Sequence, residues 1–211
     1  SIEDVHRRIF AAMLANMDDS VGSVLKSLEK NGLEEDTLVF FISDNGGPTR
    51  ELTSSNAPLR GEKGSVYEGG IRVPFMLKWP GKLKAGREYH KPVVSLDVFG
   101  TAAAIAEAPI PKNRPIDGVN LLPFLTEDSV ESPHSELFWR VGTKAAIRSG
   151  DWKLLRNPGR RQKDADWELY NLKNDISETS NLAAEQPERV KQLTATWERL
   201  NGQMIEPVWQ R

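Results

Sequence analysis

The sequence contains no cysteine, which excludes disulfides, thiolate metal centres and cysteine nucleophiles from these 211 residues without fixing a compartment. A long apolar run is also missing. Nothing approaches the ~20 residues needed to cross a bilayer, and the opening Ser1-Ile2-Glu3-Asp4 is unlike a signal peptide, so no membrane partner is expected. Charge of one sign is not in excess. Lys and Arg number 28 against 30 Asp and Glu, a formal charge of −2, and nucleic acid is therefore not an expected partner. Histidine is scarce. His6, His90 and His134 are scattered without metal-ligand spacing and read as ordinary surface or partly buried residues. No Gly-x-Ser-x-Gly elbow occurs, which removes the serine-hydrolase arrangement. Internal repeats and low-complexity tracts are absent as well.

What is present is a globular composition, 38% hydrophobic and 27% charged. Val5, Ile9, Met13, Met17, Val21, Val24 and Leu28 keep to one helical stripe, so residues 4–30 predict an amphipathic helix that stops at Asn31-Gly32. Thr37 to Ile42 is a continuous apolar, β-rich run. It predicts a strand buried on both faces, as in a parallel sheet covered by helices. Residues 48–70 predict a long loop, and loops of that length inside a compact domain are usually functional or disordered. A second strand follows at Val73–Trp79, then a helix from Ser95 to Glu107 with Ser95 as N-cap and Asp97 in its first turn.

After Pro109-Ile110-Pro111 the character changes. Strands are expected at Glu136–Arg140, Lys144–Ser149, Trp152–Arg156 and Trp167–Leu172, with Gly150-Asp151 as a tight hairpin and a closing helix from Pro187 to Gln203. The expected organisation is an α/β core over residues 1–110 and a small antiparallel sheet-plus-helix subdomain over 111–211. The six tryptophans lie mostly in these elements and read as packing residues.

Ligands of open α/β sheets collect outside the carboxyl ends of strands. Asp44 and Asn45, just past the first strand, offer adjacent carboxylate and amide oxygens there, the donors that a hard cation takes. The same Asp-Asn-Gly-Gly run also makes a turn on its own account. Asp18-Asp19 is different: neighbours on a helix point about 100° apart and do not converge on one ion. Lys63, flanked by Gly61 and Gly64, reads either as a point charge for an oxyanion or as a surface lysine. Glu68 and Arg72 read as an ion pair or a brace for the loop.

Several segments together resemble the sulfatase family, in the C-terminal portion of an arylsulfatase-type enzyme. They are Asn16–Gly22, Thr37–Gly46, the long run Pro58–Pro74, Ala146–Leu154, Leu169–Leu172, and Glu178 with Asn181-Leu182-Ala183. The likeness covers nearly the whole chain. It implies the C-terminal part of an alkaline-phosphatase-like α/β sandwich followed by a small antiparallel sheet-plus-helix subdomain. It implies hydrolysis of sulfate esters, small aryl esters or sulfated glycans, with Asp44 and Asn45 as Ca²⁺ (or Mg²⁺) ligands and Lys63 contacting the sulfate. A periplasmic or secreted location is implied likewise. The family's nucleophile is a formylglycine made in a Cys/Ser-x-Pro/Ala-x-Arg motif, and the nearest match, Ser55-Asn56-Ala57-Pro58-Leu59, lacks the arginine.

The nucleophile and the remaining ligands are therefore expected in a segment preceding Ser1. Coordination arithmetic agrees, since Ca²⁺ takes about 6–8 oxygens and two residues cannot supply them. The expectation is a chain without turnover alone that binds Ca²⁺ weakly and associates with its N-terminal half or as a homodimer. Two alternatives remain open at this point. One is a phosphatase, phosphodiesterase or phosphonate hydrolase of the wider superfamily. The other is a non-catalytic binding or assembly module, in which Arg140, Lys144 and Arg148 contact an anionic glycan or a protein.

Overall fold

Helix α1 (Val5–Lys30) begins where Asp4 Oδ1 accepts the Arg7 N–H at 2.7 Å, a side-chain cap on an otherwise orphaned donor. It ends in a Schellman arrangement: Gly32, at φ +68°, donates to Glu29 O and Leu33 donates to Leu28 O, both at 2.9 Å. The computed structural model describes residues 2–52, 54–110, 112–113, 115–126, 131–159, 162 and 164–205. The expected apolar stripe exists, but no residue of α1 is buried, and Val5, Ile9, Met13, Met17 and Val24 are exposed. Periodicity sets the face; a covering surface decides whether that face is buried.

The contacts divide the chain into two units. Arg8–Ile42 groups with Pro74–His134, and Ser1–Arg7 and Ser43–Val73 group with Ser135–Arg211. In the first, β1 (Val39–Ile42) pairs antiparallel with β2 (Phe75–Lys78), from Val39↔Lys78 to Ile42↔Phe75. This corrects the expectation of a parallel strand buried on both faces, because β1 is half-buried throughout. A continuous apolar run carries no information on the direction of its neighbour. Phe40 meets Phe75 edge to face at 6.2 Å, and Trp79 Nε1 donates to Glu35 O at 2.7 Å, tying the end of β2 to the turn after α1.

Helix α4 (Asp97–Ile105) corrects the N-cap as well. Leu96, not Ser95, holds the cap position and offers no side-chain bond. Asp97 takes over: its carboxylate, fully buried, accepts Val94 N–H at 2.8 Å and Val119 N–H at 2.9 Å and meets His134 Nε2 at 2.9 Å. Thr101 Oγ1 then receives Leu121 N–H at 3.0 Å, just ahead of the short helix α5 (Leu122–Thr126).

The second unit holds a four-stranded antiparallel sheet in the order β3 (Glu136–Val141), β4 (Lys144–Ser149), β5 (Trp152–Arg156), β6 (Glu168–Asn171). Two-residue hairpin loops join the first three, each led by a glycine at positive φ, Gly142 at +59° and Gly150 at +58°. Alternation then sorts the faces. Ala145, Ile147, Leu154 and Leu169 pack under α6 (Pro187–Asn201) against Leu193 and Trp197. Ala146, Leu155 and Tyr170 face the other way and pack with Val66, Tyr67 and Leu172. The sheet-plus-helix expectation is met, with a third layer added: residues 65–70 lie on the face opposite α6.

That layer belongs to the stretch expected as a long loop. It includes two single-turn helices, α2 (Thr49–Leu52) and α3 (Glu68–Ile71), too short to show periodicity. Trp79 and Trp197 are buried and Trp139, Trp152 and Trp167 pack at the edges of the core, while Trp209 lies outside the described residues. Among the described residues no helix is long and apolar enough to cross a membrane.

Candidate functional site

Asp44 and Asn45 follow β1 at a bend, and Lys63 lies in the glycine-rich turn before α3. Lys63 and Gly64 are the central residues of a turn closed by Ser65 N–H to Glu62 O at 2.9 Å, with Gly64 at φ +85°. A turn of that kind needs a glycine at its third position, which places Lys63 at the corner, exposed. Lys144 Nζ donates to Gly64 O and pins the turn from β4.

Three ties bring the two segments together. Asn56 is the first: its Oδ1 accepts Gly47 N–H at 2.9 Å, and its Nδ2 donates to Gly47 O at 2.8 Å and Gly61 O at 3.1 Å. The Glu62 carboxylate is the second, accepting Thr49 Oγ1 at 2.6 Å and Arg50 N–H at 3.2 Å, with Arg50 Nε at 3.0 Å. Those partners, the Thr49 hydroxyl foremost, hold its carboxyl below the usual range. The third is Gly46 N–H to Gly70 O at 3.0 Å.

The side chains left over are those the sequence singled out. Asp44 is exposed, and no described residue bonds its carboxylate. Asn45 spends its Nδ2 on Gly46 O at 2.9 Å, which leaves Oδ1 as an acceptor. Two hard oxygen donors on consecutive residues therefore fit one edge of a Ca²⁺ or Mg²⁺ site. Among the described residues no group of three His, Asp or Glu could complete it. Lys63 has no carboxylate partner among the described residues, Glu62 beside it being engaged elsewhere. No hydrogen bond or ion pair joins Lys63 to Asp44 or Asn45; their backbones are what the ties bring together.

Behind this corner, Arg60 Nη1 donates to Tyr170 Oη at 2.9 Å and Glu178 O at 2.8 Å, with its guanidinium 4.0 Å from the centre of the Tyr67 ring. Tyr67 Oη donates to Glu168 Oε1 at 2.8 Å, and Tyr170 Oη donates to Glu168 Oε2. Burial first, then the Glu168 carboxylate, pushes both phenols up, so they remain donors at any physiological pH. Glu68 and Arg72 do form the expected ion pair, at 3.9 Å. Asn56 and the Arg60 partners went unread in the sequence. Asn56 reaches carbonyls nine and five residues away, and no local spacing announces such a bridge.

Residues 4–108 match the family model described as Sulfatase, and residues 61–205 match the one described as N-sulphoglucosamine sulphohydrolase, C-terminal. A sulfatase of Formosa agariphila is 37% identical over 206 residues, which cover 84% of this chain and 36% of that protein. Human steryl-sulfatase is 39% identical over 137 residues, 62% of this chain and 24% of its own length. Among solved structures, Ps i-CgsB in complex with k-i-k-neocarrahexaose superposes with a TM-score of 0.87 at 33% identity, over 99% of this chain and 46% of that one. The chain thus spans between about a quarter and just under half the length of these relatives.

Proposed function

The chain belongs to the sulfatase family, whose C-terminal portion it matches, and we propose that it serves a sulfate-ester hydrolase as the wall of an anion pocket. The bridge from Asn56 to Gly47 and Gly61 carries this reading, because it holds the Asp44-Asn45 corner beside the Lys63 turn. In it, Asp44 and Asn45 would hold Ca²⁺ (Mg²⁺ as a substitute) by their oxygens, and Lys63 would set its ammonium against the non-bridging sulfate oxygens. A divalent cation at that corner would supply Lewis-acid stabilisation of charge on those oxygens. Lys63 adds a second fixed charge, and both act more strongly once water is excluded.

The nucleophile, a formylglycine in this reading, and the remaining ligands belong to an N-terminal portion, with residues 1–110 completing the catalytic core and 111–211 forming the appended subdomain. The uncovered stripe of α1 supports association with that portion or with a second copy. A sulfated glycan is favoured over a simple aryl or steroid ester, since the relative that matches 99% of this chain was solved with k-i-k-neocarrahexaose.

The test compares the 211-residue chain alone with the chain joined to the N-terminal portion of the F. agariphila relative. 4-Nitrophenyl sulfate and a sulfated carrageenan oligosaccharide are the substrates. Expected are no turnover alone, and turnover of the joined protein that requires Ca²⁺ and falls on Lys63→Ala. Turnover by the chain alone, or a joined enzyme indifferent to Lys63, overturns the proposal.

A further inference from the structure

Lys153 is fully buried on the face of β5 that looks toward residues 65–70. Its Nζ donates to Glu68 Oε1 at 2.8 Å and stands 2.9 Å from Glu178 Oε1, without the alignment of a hydrogen bond. Glu68, in α3, is 2% exposed, and Glu178, in the loop after β6, is 0% exposed. Glu178 is also tied to the backbone of Glu68, since its Oε2 accepts the Glu68 N–H at 2.7 Å. Glu178 holds φ at +52°, a left-handed conformation that a non-glycine residue keeps only where its surroundings impose it.

Stability alone does not explain this cluster. Burying an ammonium and two carboxylates carries a desolvation penalty, and well-packed apolar side chains often serve as well or better. The better-attested use of a buried ion pair is to fix a register. What is fixed here is visible in the backbone. From Glu68 the chain continues to Gly69, whose N–H reaches Arg60 O at 2.7 Å, and to Gly70, whose carbonyl receives Gly46 N–H at 3.0 Å. A side chain rooted in β5 is thereby connected, through Glu68, to the segments that carry Lys63 on one side and Asp44-Asn45 on the other.

We propose that Lys153, clamped between Glu68 and Glu178, is a positioning residue that holds the Lys63 turn and the Asp44-Asn45 corner in register on the C-terminal sheet. It rests on the sulfatase reading for what the corner binds, but not for the clamp itself. The function of the sheet is then to template an anion pocket whose contacts it does not make.

Hydrogen–deuterium exchange on the 211-residue chain tests this without reference to turnover. In Lys153→Met, the amides of Glu68, Gly69 and Gly70 should exchange about tenfold faster or more, while those of Ile147, Leu154 and Leu169 stay within about twofold. Lys153→Arg, which restores a cation, should recover most of the protection at Gly69 and Gly70. Uniform acceleration through the sheet, or no change at Gly69 and Gly70, overturns the proposal. Should Lys153→Met fail to fold, Glu178→Gln decides by the same criterion, with acceleration of about threefold or more confined to residues 68–70 as the supporting result. Failure of this experiment leaves the sulfatase reading standing, and failure of the joined-enzyme assay leaves the clamp standing.

Discussion

The carbonyl oxygen of Gly69 lies 1.7 Å from where a β-carbon on Gly46 would sit. The obstacle is backbone, itself held by the bond between Gly46 N–H and Gly70 O, so no side-chain rotation relieves it. Gly46→Ala should therefore destabilise the second unit by about 1–3 kcal/mol or more, as overpacking against a fixed wall does. Urea unfolding followed by circular dichroism measures this, and an unchanged midpoint would mean that the two backbones are not in register.

Asn56 supports the same junction by hydrogen bonding. Asn56→Ala leaves Gly47 N–H without its acceptor and two carbonyls without their donor, at a cost of about 1–3 kcal/mol. Asn56→Asp keeps the bond from Gly47 N–H but turns a carboxylate toward two carbonyl oxygens, so it should be no better than alanine. Equal urea midpoints for Asn56→Asp and the parent chain would remove Asn56 as the bridge.

Two carboxyls near the clamp respond to pH with opposite signs. Burial holds Glu178 above its ordinary 4.5, against the opposing charge of Lys153. At Asp175 burial also acts upward, but the N–H groups of Ser180 and Thr179 and the Thr179 hydroxyl win and hold it below 3.8. A raised carboxyl contributes stability that is fully present below 4.5 and lost as pH rises through its folded value. A depressed one contributes stability present above 3.8 and lost as pH falls through its folded value. Relative to Glu178→Gln, the urea midpoint of the parent chain should decline between pH 4.5 and neutrality. Relative to Asp175→Asn, its advantage should persist at neutrality and vanish below pH 3.8. The same slope for both pairs would contradict the assignment.

Asp97 and His134 make an asymmetric pair in the first unit. Asp97→Ala orphans two part-buried backbone donors, Val94 N–H and Val119 N–H, at roughly 1–3 kcal/mol each, whereas His134→Ala removes one partner and leaves both bonds in place. The aspartate variant should lose about twice the stability of the histidine variant in urea unfolding. A larger loss for His134→Ala would reverse the roles assigned to them.

Elements with a local rule were legible in the sequence: the four short C-terminal strands, the hairpin at Gly150-Asp151, and α1 by its stripe and its Asn31-Gly32 stop. Asp44, Asn45 and Lys63 could be named because turn chemistry and glycine flanks are local too. What escaped was non-local. The antiparallel pairing of β1 with β2, the capping of α4 by Asp97 across to Val119, and the clamp from β5 to α3 each join residues 22 to 85 positions apart or follow from such a contact. Lys153 read as an ordinary strand residue because alternation reports which face a residue takes, not that the face holds two buried carboxylates.

Lys63 separates chemistry from folding most cleanly. It is exposed, at a turn corner whose geometry depends on Gly64 and not on its own side chain. Lys63→Ala should therefore leave the urea midpoint of the 211-residue chain unchanged within about 0.5 kcal/mol, as surface substitutions do. In the joined enzyme the same change should lower kcat/KM for 4-nitrophenyl sulfate by about 10²–10³, the range for removing one preorganised donor from a developing oxyanion. Lys63→Arg should recover part of that loss, since the charge returns on a wider, planar head with different reach. If the lysine instead braces the turn, the midpoint falls together with the rate, and arginine restores both or neither. A rate loss with an intact midpoint distinguishes an ammonium that meets substrate from one that only meets water.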